Sequence, residues 1–371
     1  MKFSVNSSEL QKTLNKIGGL VPTKSTMPIL ENILFDLVNE VLTVTATDLD
    51  ISITDSIRVK GLEDGRIAVP AKRLLDTIRA LPDTSMIFDA DTTTNKIRIT
   101  TDNGEYALTG EAAKEFPAVP QLKATEEVSL ESNTLKKIIH RTAFAVSTDE
   151  LRPAMMGVLL QAKSGELRAV STDGHRLVRL SQRMPKPLAL KKDVVVPAKT
   201  LNLVSKSLDG GSIELSMNDA HVRFAFGQTL VVSRLIDETY PNYESVIPGE
   251  NNKTMTVNRD QLVSSIRRVA LYSSATTHQV RLGVSKSKLT ISAQDIDFGG
   301  EAKESIPCEY NAEDLEIGFN SNYVVDILSH LDSEQVSFKF SSPTKAGIIT
   351  PAEGKDNEDV IMLVMPVRLN V

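Results

Sequence analysis

The residues of this chain that invite a chemical reading are a handful of aspartates and histidines. Asp173 and His175 lie two apart in STDGHRLVRL at 171–180. On a strand or turn they share one side and could act as an acid–base pair. Asp48 with Asp50, and Asp295 with Asp297, keep the same spacing and could hold a metal for phosphoester hydrolysis. A two-metal site, however, needs several convergent carboxylates, and these pairs fall in separate, similar segments. The five histidines, His140, His175, His221, His278 and His330, show no ligand spacing. Cys308 is the only cysteine, and no GxxxxGK[ST] or GxGxxG stretch is present to cradle a nucleotide. An aspartate that recurs at one place in three segments, with a histidine after only one, reads as a structural feature. The expectation is a protein without catalytic residues, metal or cofactor.

What must position these residues is a unit that occurs three times. Strand-to-helix segments recur as FSVNSSELQKTLNKI from Phe3, VSLESNTLKKIIHRT from Val128 and MTVNRDQLVSSIRRV from Met255. Each joins an alternating stretch to a polar cap and an apolar face of helical period. The aspartate-bearing strands come next as LTVTATDLDISI, LRAVSTDGHRLVRL and LTISAQDIDFGGE. Second strand-to-helix segments then read IAVPAKRLLDTIRAL, VVVPAKTLNLVSKSL and IGFNSNYVVDILSHL. The offsets are about 122–127 residues, and a third of the 371-residue chain is about 124. The chain is therefore read as three copies of one domain, over 1–122, 128–248 and 254–371. Helices are predicted over 7–17, 71–80, 133–142, 198–207, 259–270 and 321–331, with β-branched strands and turn signals such as Gly210-Gly211 between them. The fold class is α+β, each copy having two helices packed on antiparallel sheets.

At 41% hydrophobic and 24% charged, with no biased tract, the composition is that of a globular protein rather than a fibrous or disordered one. The net charge of −6 by itself argues against a nucleic-acid partner. Its distribution reverses that inference. The six helix windows hold thirteen Lys and Arg against four Asp and Glu, which leaves the remainder at −15. Lys12 and Lys16 lie opposite Leu10, Leu14 and Ile17 on the first helix. Lys72 with Arg79, and Lys199 with Lys206, are seven apart and share a face. Arg73, Lys136, Lys137, Arg141, Arg259, Arg267 and Arg268 complete the set, and only the window 321–331 lacks a cation and carries Asp326. With no helix-turn-helix, zinc-finger spacing or RNP-type aromatic motif, the expected contact is with phosphates and has no sequence preference.

STDGHRLVRL, YPNYESVIP at 240–248 and MPVRL at 365–369, together with the threefold repeat, resemble over the full length the bacterial DNA polymerase III beta subunits, the replicative sliding clamps. The resemblance implies three tandem clamp domains, a head-to-tail homodimer forming a six-domain ring with helices lining the hole, and nonspecific binding of double-stranded DNA. It also implies a non-catalytic subunit, opened by an ATP-driven loader. Short peptides of the DNA polymerase III alpha subunit, the clamp-loader delta subunit, other polymerases and repair proteins would enter a groove. Its walls would come from Met155, Thr172, Gly174, His175, Arg176, Leu177, Pro241, Val246, Leu363, Val364, Met365, Pro366 and Arg368. Apolar side chains suit such a groove, while Arg176 and Arg368 would fix polar groups of the peptide. Ser245, Ala346 and Val367 stand where the family often has Arg, Ser and Met, which bears on peptide preference. Lys24 and Arg73 match duplex-contacting positions, whereas Asp149, Pro153 and Ala154 replace family residues that can touch DNA. Tyr106 and Leu108 would meet Leu271 and Tyr272 at the dimer interface.

Two other readings stay open at this point, a monomeric peptide-binding scaffold and a metal-dependent phosphoesterase. The alternating start MKFSVNSSEL, the lack of an apolar run of about 18 residues and the single cysteine point to a reducing cytoplasm and away from a membrane.

Overall fold

The computed structural model describes residues 1–185, 192–296, 298–354 and 356–369, so Asp297 of the carboxylate pairs lies outside the described residues. Helices form where the spacing predicts them: α1 Ser7–Gly18, α2 Ala71–Ala80, α3 Ser132–Thr142, α4 Ala198–Ser207, α5 Arg259–Ala270 and α6 Ser321–Ser329. Three of them begin at an asparagine that ends the preceding strand. Asn6 Oδ1 accepts the Ser8 N–H at 2.9 Å, Asn258 that of Gln261 at 3.0 Å and Asn320 that of Asn322 at 2.9 Å. Each bond satisfies a donor that the first helical turn cannot. None of the described helices is long and apolar enough to cross a membrane.

The chain forms two compact units, Met1–Lys136 with Lys199–Leu235, and Lys137–Ala198 with Ile236–Val371. The first contains a five-stranded sheet in the order Lys60–Glu63, Lys2–Asn6, Ser85–Asp91, Lys96–Thr101, Gly104–Thr109. Its nine-stranded sheet is built from two repeats. Ile51–Arg58 of the first repeat runs antiparallel to Thr229–Arg234 of the second, with Ile51 opposite Ser233 and Thr54 opposite Leu230. The rings of Phe3, Phe35 and Phe88, with centroids 5.0–6.4 Å apart, fasten one sheet to the other. Burying each such ring contributes about 1.5–3 kcal/mol.

The second unit repeats this construction. A four-stranded sheet runs in the order Gly300–Pro307, Lys288–Asp295, Gln279–Ser285, Leu315–Asn320. In the nine-stranded sheet Arg176–Arg183 of the second repeat pairs with Glu358–Val364 of the third, Arg176 opposite Val364 and Gln182 opposite Glu358. Phe319, Phe338 and Phe340 form the matching aromatic core. The middle repeat therefore supplies strands to both units. Linear spacing does not reveal this, because the ladders that join repeats are as continuous as those within them.

Candidate peptide groove and nucleic-acid face

The aspartates that suggest chemistry hold turns. Asp173 Oδ1 accepts the N–H groups of His175 and Arg176 at 2.9 and 3.0 Å. Asp48 Oδ1 accepts those of Asp50 and Ile51 at 3.2 and 2.8 Å, and Asp295 Oδ1 that of Phe298 at 3.3 Å. In the first two turns the preceding threonine donates to the carbonyl of Ile51 or Arg176, at 2.8 and 2.7 Å. These bonds let two strands reverse over a few residues, which is the ordinary work of an aspartate in a turn. Asp48 is also ion-paired with Lys199.

In the second unit the turn at 173–175 borders a groove of about 670 Å³. Beneath it lies a buried cluster of Leu159, Val170, Leu177, Val195, Tyr243, Ala346 and Leu363, with Ile236, Tyr240 and Ile247 packed against it. Burial pushes the Tyr240 hydroxyl far above its ordinary pKa, so it stays neutral. Val246 and Met365 keep 51% and 42% of their surface exposed at the rim. The Met365 N–H donates to the His175 carbonyl at 2.8 Å and so ties the C-terminal segment to the turn. An adaptable apolar trough with a few polar groups at its edge suits a short peptide carrying hydrophobic side chains.

Nine of the thirteen residues expected in the groove line it: Met155, Thr172, Gly174, Arg176, Leu177, Pro241, Val246, Leu363 and Met365. His175 instead stacks on Tyr323 with centroids 5.6 Å apart. Val364 is fully buried, since alternate side chains of its strand face opposite sides of the sheet. Pro366 and Arg368 lie outside the lining. Arg176 requires a correction. Its guanidinium donates to Asp173 at 3.0 Å, to Asp326 at 2.5 Å and to the Phe144 carbonyl at 3.0 Å, and lies over the Phe144 and Tyr323 rings at 5.2 and 5.0 Å. Three of its five N–H donors are thereby engaged within its own unit while it lines the groove. Asp326, the acid that sets the last helix apart from the cationic ones, is thereby accounted for. Ser245 and Ala346 also line the groove, as do Asn242, Ile247, Asn251 and Lys345, which spacing does not single out. Asn251 donates to the carbonyls of Lys339 and Ala346 at 3.0 and 2.9 Å, pinning that wall. Such loop residues carry no periodic signal in sequence.

The helix cations divide into free and committed ones. In the first unit Lys12, Lys24, Lys72, Arg73 and Lys206 are exposed and, among the described residues, in no ion pair. Lys136 is half-buried, and Arg79 donates to Asn15 Oδ1 at 3.0 and 3.2 Å. Lys16 stands 3.1 Å from Asp209 and 3.7 Å from Asp55. In the second unit Arg267 is exposed, Lys137 pairs with Glu358, and Arg268 binds Glu304 in two bonds of 2.7 and 2.8 Å. That fork, with the Ser265 hydroxyl, draws the Glu304 carboxyl down to about 2. Arg141 corrects the expectation of a DNA contact. Its side chain is buried and clamped by Glu358 and by Asp332 at 2.7 Å, so its charge is neutralised inside the protein. Helical periodicity puts Arg141 beside polar neighbours, and only the ladder between repeats brings Glu358 to it. The Asp149 carboxylate accepts the Leu151 backbone N–H and the Arg152 guanidinium Nε–H, which holds it below the usual range. That anion is a poor neighbour for phosphate. Tyr106, Leu271 and Tyr272 are exposed at 37%, 81% and 49%, whereas Leu108 faces its own core.

Comparison with known proteins now decides the family. Residues 1–120, 129–242 and 244–368 match the family models described as the N-terminal, central and C-terminal domains of the DNA polymerase III beta subunit. The chain belongs to the DNA polymerase III beta subunit family. The beta sliding clamp of Pseudomonas aeruginosa is 32% identical over 372 residues, covering 100% of both chains. A solved sliding clamp from Bartonella birtlesii, bound to griselimycin, matches with a TM-score of 0.94 at 30% identity over 100% of each chain. A beta sliding clamp from C. crescentus, with polyethylene glycol bound, matches at 0.92 and 30% identity, over 100% of this chain and 99% of that one. A beta subunit of this kind is a DNA sliding clamp and processivity factor, and its three tandem domains are the three repeats described above.

Proposed function

We propose that two copies of this sliding clamp close head to tail into a ring around duplex DNA. The observation that carries this reading is a pair of sheet edges. Gly104–Thr109 is an edge of the five-stranded sheet and Gly300–Pro307 an edge of the four-stranded one. Within the chain the corresponding strands of successive repeats are paired, Ile51–Arg58 with Thr229–Arg234 and Arg176–Arg183 with Glu358–Val364. Gly300–Pro307 continues the first series and Gly104–Thr109 the second, so a second copy supplies the missing partner to each. Tyr106, Leu271 and Tyr272 would be covered in the same contact.

The free cations Lys12, Lys24, Lys72, Arg73, Lys206 and Arg267 would then meet phosphates. Such contacts are individually weak and exchangeable, so a closed ring slides while remaining linked to its DNA. The groove bordered by the turn at 173–175 takes short apolar peptides from the DNA polymerase III alpha subunit, the clamp-loader delta subunit and other polymerases and repair proteins. Tethering holds the polymerase at a high effective concentration over its template. The role is topological, without a reaction of its own, in the cytoplasm beside the chromosome.

The test is retention on circular against linearised DNA after loading by a cognate ATP-driven loader and gel filtration. Retention on the circle with loss from the linear form is expected, because topology alone distinguishes the two. Equal retention would mean ordinary electrostatic binding and would overturn the ring. Deleting the chain from Met365 onward should abolish binding of the polymerase peptide and leave the dimer intact by light scattering.

A further inference from the structure

Two ion pairs recur at the junctions between repeats, and a third is half made. Lys16, Arg141 and Arg268 occupy one position of the aligned helices α1, α3 and α5, each ten residues after Asn6, Glu131 or Asn258. Lys16 of the first repeat lies 3.1 Å from Asp209 of the second, and Arg141 of the second lies 2.7 Å from Asp332 of the third. Asp209 and Asp332 are equivalent in turn, each following the leucine, Leu208 or Leu331, that ends its segment. A strand acid completes each cluster: Asp55 beside Lys16, Glu358 beside Arg141 and Glu304 at 2.7 Å from Arg268. Arg268 thus has its strand acid, but among the described residues no counterpart of Asp209 or Asp332 is paired with it. The counterpart segment of the first repeat reads ALPDTS, in which Pro82 follows the corresponding Leu81 and Asp83 stands one residue later on the same turn. There Asp83 is exposed and, among the described residues, in no ion pair.

We infer that Arg268 of one copy is closed by Asp83 of a second copy, the third member of a repeated interdomain lock, and that the two sheet edges meet in one register. This rests on the head-to-tail dimer proposed above. Ile51, Arg176 and Gly300 are equivalent, each closing the turn that opens at Asp48, Asp173 or Asp295. Ile51 stands opposite Ser233. Ser233 corresponds to Leu108, each being the fifth residue after its two-residue hairpin turn. Leu108 is therefore set opposite Gly300, Ala107 opposite Glu301, Tyr106 opposite Ala302 and Glu105 opposite Lys303. The last pair brings unlike charges together across the ladder, which favours this register over a slipped one.

A double-mutant cycle on the dimer dissociation constant, read by subunit exchange at fixed salt, tests the lock. Asp83→Ala and Arg268→Ala should each raise the constant about tenfold, because both junctions of a dimer lose the pair. The double variant should be no weaker than the weaker single one. Effects that multiply, or an Asp83→Ala dimer as tight as the parent, would overturn the lock and leave the dimer standing. A parent protein that runs as a monomer would instead overturn the dimer itself. Asp83 lies on an exposed loop, so its variant keeps the fold. If Arg268→Ala unfolds through loss of Glu304, Arg268→Lys with Asp83→Ala carries the same comparison. For the register, Ala107→Cys with Glu301→Cys should give a covalent dimer on mild oxidation. Faster cross-linking of Ala107→Cys with Lys303→Cys would refute it.

Discussion

Leu49 and Gly174 hold the same place in successive turns and the same left-handed backbone, with φ of 80° and 90°. Each N–H donates to the hydroxyl of the threonine two residues before it, at 3.1 Å in both turns. The backbone is thus set by the Thr-Asp frame, and the side chain must adapt to it. A Cβ on Gly174 would come within 3.1 Å of the Arg152 guanidinium and 3.7 Å of the Met155 methyl at the groove wall. Gly174→Ala should therefore cost about 1 kcal/mol of stability and weaken peptide binding. Leu49→Gly removes the same strain where half the side chain is exposed, and its urea midpoint should be unchanged or raised. A clear loss of stability on Leu49→Gly would show that the strain account is wrong. The sequence shows the aspartates as recurrent, and their role as turn-formers is legible from that recurrence. The commitment of Arg176 is not, because its partners Phe144, Tyr323 and Asp326 come from three distant segments.

Helices were legible because apolar residues repeat at helical spacing, and in three of them because an asparagine ends the preceding strand and caps the helix. The partner that a helix face meets is not written in that face. In the second unit α3 and α6 bring His140 and His330 together, with ring centroids 4.6 Å apart, and His330 stacks on Phe144 at 3.9 Å. His330 follows the last residue of α6, and its Nδ1 lies 2.7 Å from the carbonyl of Asp326 in that helix. Burial, and then the neighbouring His140 and Arg176, hold the His330 pKa below its ordinary 6.5, while the Asp326 carbonyl and carboxylate oppose this. A depressed imidazole favours the neutral folded form. Its contribution is fully present above 6.5 and is lost as pH falls toward the lowered folded value. Unfolding midpoints should thus decline as pH falls below about 6.5, and His330→Phe should flatten that part of the profile. An identical slope in the variant would place the titration elsewhere.

For the whole molecule, the salt dependence of DNA binding separates free cations from committed ones. Reversing Lys12, Arg73 and Lys206 to Glu should weaken retention on DNA and lower the slope of log affinity against log salt by about 0.9 for each phosphate no longer neutralised. Lys199→Glu should change the slope less, because Lys199 already neutralises Asp48. An equal effect of both would show that internal pairing does not decide which charges DNA meets. Summing charge along the helices detects the basic face in an acidic chain, yet the sum includes Lys16, Arg141, Lys199 and Arg268, which acids of other segments occupy.

The sequence by itself determined the three repeats, the α+β class, the six helices and the three motifs that name the family. These rest on local spacing, caps and turn residues, which act within a few positions along the chain. Tertiary structure alone decided that the middle repeat divides its strands between two nine-stranded sheets, that loop residues such as Asn251 build a groove wall, and which cations stay free. Each of those outcomes depends on hydrogen bonds and ion pairs between residues far apart in sequence, as far as the 217 positions that separate Arg141 from Glu358. Such partners are chosen by the register of one strand ladder against another, and no local pattern encodes that choice.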